Sequence, residues 1–97
     1  MCTTKSLPVQ YNSIQKIIFE QKNKLFNLAD SLIRSNPDFD FNRVDLLIGG
    51  SRIDSIELGD KIYLYNSKGH RKVLNELTSE ELLLLTGGMI ANGLKIN

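Results

Sequence analysis

The chain has no tryptophan, one cysteine and one histidine in 97 residues, and each scarcity removes a class of chemistry. With Cys2 alone, neither an intramolecular disulfide nor a cysteine-based metal cluster can form. A single thiol in a terminal segment fits a reducing compartment. With His70 alone, any general base must be that imidazole or a carboxylate. The longest apolar block is Leu82 to Leu85, far short of the ~20 residues that a membrane helix requires. The opening MCTTKSLP has no apolar run of the signal-peptide kind, so a cytoplasmic location and no membrane partner are expected.

An excess of one charge is missing too. The formal net charge of +1 argues against a strongly basic nucleic-acid binder, although the average conceals a pattern. Residues 1–35 carry five Lys/Arg against two Asp/Glu, and residues 36–60 carry two against six. Residues 61–75 then hold Lys61, Lys68, Arg71 and Lys72 with no acid, a basic spot that follows an acidic stretch.

What remains has ordinary globular composition, 41% hydrophobic and 24% charged, enough for one core without staples. Residues 1–11 read as a flexible N-terminal arm and 12–97 as a single α+β domain. The clearest local signal is Ile62 to Leu77, two strand-forming runs around Asn66-Ser67-Lys68-Gly69. Asn opens a type I turn and Gly closes it as a bulge, which predicts Tyr65 opposite Arg71 and Tyr63 opposite Val73. Ile62, Leu64 and Leu74 then share one face, and Tyr63, Tyr65, Arg71 and Val73 share the other.

Upstream, apolar residues recur at helical spacing from about Asn12 to Ser35: Ile14, Ile17, Ile18, Leu25, Leu28, Ala29, Leu32 and Ile33. Asn12 or Ser13 can cap this helix, and Asn36-Pro37 ends it. Val44 to Ile48 is expected as a strand stopped by Gly49-Gly50. Arg52 to Leu58 is expected as another, with Ile56 and Leu58 on one face and a type II′ turn at Gly59-Asp60. Thr78 and Glu81 fit a capping box. They predict one helix from Ser79 to about Asn92 that continues through Gly87-Gly88, with Gly93 closing it. Leu82, Leu83, Leu85, Met89 and Ile90 would form its face, and Gly87 with Ala91 would allow close approach of a neighbour. The sum is an α+β fold: long N-terminal helix, antiparallel meander of three to four strands, C-terminal helix, helices on one sheet face.

Chemical motifs are sparse. Asp38-x-Asp40-x-Asn42 has the first ligand spacing of a calcium loop but lacks its glycine and closing glutamate, so a polar loop is expected. Gly49-Gly50-Ser51 lacks both halves of a nucleotide fingerprint and reads as a turn. No nucleophile lies in an elbow motif, so neither catalysis nor a cofactor is expected. The candidate binding residues are therefore Tyr63, Tyr65, Lys68, His70, Arg71 and Lys72 on the basic hairpin, with Arg71 able to lie across Tyr65.

Two roles follow. The chain holds more apolar surface than a small sheet can hide on one face. The first expectation is therefore a non-catalytic protein-interaction or regulatory module, self-associating or bound to a protein partner. The surface would be the tyrosine face or the glycine-bearing helix. The alternative is a nucleic-acid-associated protein using the 61–75 hairpin.

Overall fold

The computed structural model describes residues 20–96. The expected arm, the caps at Asn12 or Ser13, and Ile14, Ile17 and Ile18 of the first stripe lie outside them. Helix α1 is seen over residues 20–35, and it buries Ala29, Leu32 and Ile33 with Leu25, Phe26 and Leu28 packed beside them. It ends where Pro37 forbids continuation. The Asn36 side-chain amide donates to the Leu32 carbonyl at 2.8 Å and to the Lys95 carbonyl at 2.9 Å, which joins this helix end to the C-terminal segment.

The expected strand from Val44 is mostly absent. Phe41–Arg43 form a 3-10 turn, and only Leu47–Ile48 pair as strand β1. The cause is local: Asp40 Oδ1 accepts the Asn42 amide at 3.1 Å, and the Arg43 and Val44 amides reach back to the carbonyls of Asp40 and Phe41. Side-chain caps of this kind compete with a ladder. The alternation survives without the hydrogen bonds, since Val44, Leu46 and Ile48 are buried while Asp45 and Leu47 are exposed. Phe39 and Phe41 meet edge to face with centroids 5.0 Å apart.

Strand β2 (Ser51–Leu58), β3 (Ile62–Asn66) and β4 (Arg71–Val73) complete an antiparallel meander in the order β1-β2-β3-β4. Gly49 and Gly50 form the two-residue β1–β2 connection with φ of 56° and 87°, the pair of left-handed residues that a type I′ turn demands. The β2–β3 connection differs from expectation. Leu58 pairs with Ile62, so the loop has three residues, and Gly59 has no positive φ as a II′ turn would need. Its carbonyl instead accepts from Arg34 Nη2 at 2.7 Å, tying the loop to α1. A bulge between Ile53 and Ser55 puts Ile53 and Ile56, three apart, on the core side. The β3–β4 hairpin has the predicted register, Tyr63 with Val73 and Tyr65 with Arg71.

Helix α2 runs Ser79–Ala91 without a break at its glycines. Thr78 Oγ1 accepts the Glu81 amide at 3.1 Å and Glu81 Oε1 accepts the Thr78 amide at 2.9 Å, a complete capping box. Gly93, at φ 85°, closes the helix: its amide donates to the Ile90 carbonyl and that of Leu94 to Met89. Both helices cover one face of the sheet. Leu82, Leu85 and Met89 of α2 join Ile53, Ile62 and Leu64 of the sheet and Leu32 and Ile33 of α1 in one core.

Candidate interaction surface

The hairpin residues singled out by sequence do not converge. At the turn, Asn66 is buried and spends every polar valence of its amide. Oδ1 accepts the Lys68 and His70 amides, each at 2.9 Å. Nδ2 donates to the Ile48 carbonyl and stands 3.3 Å from His70 Nδ1. With the amide so oriented, one Nδ2 hydrogen points toward His70 Nδ1. The imidazole also lies against Gly49, where an added Cβ would be 2.7 Å from its Cγ. The β1–β2 and β3–β4 turns are thereby locked side by side, and the one histidine is a packing element of that lock.

The outer sheet face carries Tyr63 and Tyr65, both half-buried, with Arg71 and Val73. Arg71 stacks on Tyr63, 5.0 Å from the ring centroid, and not on Tyr65 as anticipated. Tyr65 Oη donates to Glu57 Oε1 at 2.7 Å. That hydrogen bond to a carboxylate, more than any burial, pushes the phenol pKa above its ordinary 10.0. The tyrosine face thus has polar partners of its own within the protomer.

The cations diverge. Lys68 is exposed at the turn and Arg71 lies on the outer face. Lys72, opposite Leu64 in the ladder, faces the other way and bridges Glu81 of α2 at 3.1 Å. Glu81 is held below its usual 4.5 chiefly by the Thr78 backbone amide; burial opposes this, and the Lys72 hydrogen bond and charge add to the lowering. Lys72 therefore braces the helix start.

Helix α2 presents the other apolar surface. Its inward side is sealed, and its outward side leaves Leu83 60%, Leu84 51% and Ile90 53% exposed. Leu83 and Ile90 thus stand apart from the buried Leu82, Leu85 and Met89, with which their spacing had grouped them. The sequence signal for this surface is that residues 82–91, LLLLTGGMIA, hold no charge, so whichever side faces outward is apolar.

Among the described residues of the protomer, close approach falls on Gly88 and not on Gly87 with Ala91. A Cβ at Gly88 would stand 2.7 Å from Val44 Cγ1 and 3.0 Å from its Cβ, while one at Gly87 would meet no described atom within 4 Å.

A cleft of about 290 Å³ between α1 and the start of α2 is lined by Lys22, Asn23, Phe26, Asn75 and Leu82. Among the described residues that line it there is no histidine and no carboxylate. No family model, curated protein or solved structure matches the chain.

Proposed function

We propose that this protein is a small non-catalytic interaction or regulatory module and that its docking surface is the outward face of α2. One observation carries the reading: Leu83, Leu84 and Ile90 stand exposed on a helix stretch that bears no charge. Single exposed apolar residues are ordinary, but a contiguous uncharged helix face of large aliphatics marks an interaction site. The tyrosine face is the weaker candidate because Glu57 already accepts the Tyr65 hydroxyl and Arg71 already covers the Tyr63 ring. The nucleic-acid alternative loses support as well, since Lys72 is turned toward Glu81 and the remaining cations make no stripe with it.

The test is a photoreactive residue placed at Leu84 and, in a second variant, at Glu57 on the outer sheet face. Polypeptide adducts concentrated at position 84 are expected. Adducts at 57 with none at 84 would end the proposal. Retardation of DNA or RNA at low salt that disappears with Lys68→Glu would transfer the role to the hairpin.

A further inference from the structure

Gly87 is an anomaly within its own protomer. A glycine inside a helix is destabilising by ~1 kcal/mol relative to alanine. At Gly88 the fold has a reason for it, because Val44 occupies the space of a side chain. At Gly87 the described residues supply none. The position is also the centre of the exposed face. At ~100° per residue its surface neighbours are the residues three and four away on each side. These are Leu83 and Leu84 before it and Ile90 and Ala91 after it, all exposed. Four apolar side chains therefore frame a bare patch of backbone.

We propose, resting on the docking role of this face, that its occupant is a second copy of the chain, with the two α2 helices packed antiparallel across Gly87. Three features favour that occupant. The pattern is self-complementary, with bulk on both sides of a bare centre, as a two-fold contact requires. Two glycine floors allow the backbones to approach closely enough for Leu83 and Leu84 of one protomer to pack against Ile90 and Ala91 of the other. The exposed charges nearest the face along the chain are opposite: Glu80 in the first turn of α2 and Lys95, four residues past Ala91. An antiparallel pair sets each against its opposite and opposes the helix dipoles, whereas a parallel pair sets Glu80 against Glu80.

Sedimentation over a concentration series tests this with the full chain. The wild type is expected to pass from monomer to dimer. Gly87→Leu is expected to remain monomeric at every concentration while melting no lower than wild type when dilute, because leucine is the better helix former. Glu80→Lys and Lys95→Glu should each weaken the dimer, and the double variant should recover it. A wild type that stays monomeric throughout overturns the proposal, whether a different polypeptide or the chain's own first residues cover the face. In that event, adducts at position 84 leave the docking role standing without this occupant. A dimer indifferent to Gly87→Leu, or a double variant that fails to recover, also overturns it.

Discussion

The inward and outward sides of α2 are made from the same residue types and do opposite things. Inward, Leu82, Leu85 and Met89 are sealed, Thr86 satisfies its hydroxyl on the Leu82 carbonyl at 2.9 Å, and Gly88 makes room for Val44. Outward, Leu83, Leu84 and Ile90 meet solvent around Gly87. Leucine and glycine thus carry no fixed meaning. What a leucine contributes depends on whether the protomer removes it from water, and what a glycine costs depends on whether something occupies its missing side chain.

The sharpest way to break this contrast is a pair of truncations. Leu85→Ala should cost about 3 kcal/mol in denaturant unfolding, through lost burial and a residual cavity. Leu84→Ala, in dilute protein, should stay within about 0.5 kcal/mol. Equal losses would mean that the outward side is covered in the isolated protomer.

The glycines give the next largest difference, and one of opposite sign. Gly88→Ala should destabilise by about 2 kcal/mol because Val44 meets it with Cβ as well as Cγ1 and cannot simply rotate away. Gly87→Ala should raise stability by ~1 kcal/mol in the same dilute assay. A loss at Gly87 would show an intramolecular need for that glycine. At the helix start, Thr78→Ala should cost ~1 kcal/mol, since one capping bond is lost while the inward contacts persist.

The smallest effect is a titration. Glu81 has a lower pKa folded than unfolded, so its contribution is complete above the ordinary 4.5 and fades as pH falls through the folded value. Glu81→Gln should flatten the stability curve over that acid window and leave its neutral-to-alkaline shape unchanged. An unaltered acid limb would show that the Thr78 and Lys72 contacts add little in solution.

Much of the fold could be read from local chemistry. The β3–β4 hairpin register follows from Asn66 and Gly69 because turn geometry is decided within a few residues. The start of α2 follows from Thr78 and Glu81 for the same reason. Ile53 escaped period-two reading because the bulge at Asp54 inserts a residue that no pattern announces. The β2–β3 loop departs from the Gly59-Asp60 expectation in having three residues, and the contact its Gly59 carbonyl makes with Arg34 of α1 comes from 25 residues away. The candidate site was legible only in part. Arg71 and Lys72 are consecutive and therefore point to opposite faces, a period-two fact available from the start. That Val44 rather than solvent lies over Gly88 is a tertiary fact, and no spacing within residues 79–91 distinguishes it from Gly87.

The Asn66 amide has a reach that its size conceals. β1 has only two residues, and Asn66 grips the second of them through the Ile48 carbonyl. Ile48 lies four residues beyond Val44, and Val44 is the side chain seated on Gly88. One hydrogen bond, four residues of chain and one side-chain contact thus lie between the hairpin turn and the middle of α2. Removing that amide, as in Asn66→Ala, would strip partners from the Ile48 carbonyl and from the Lys68 and His70 amides together, so its cost falls on two turns at once.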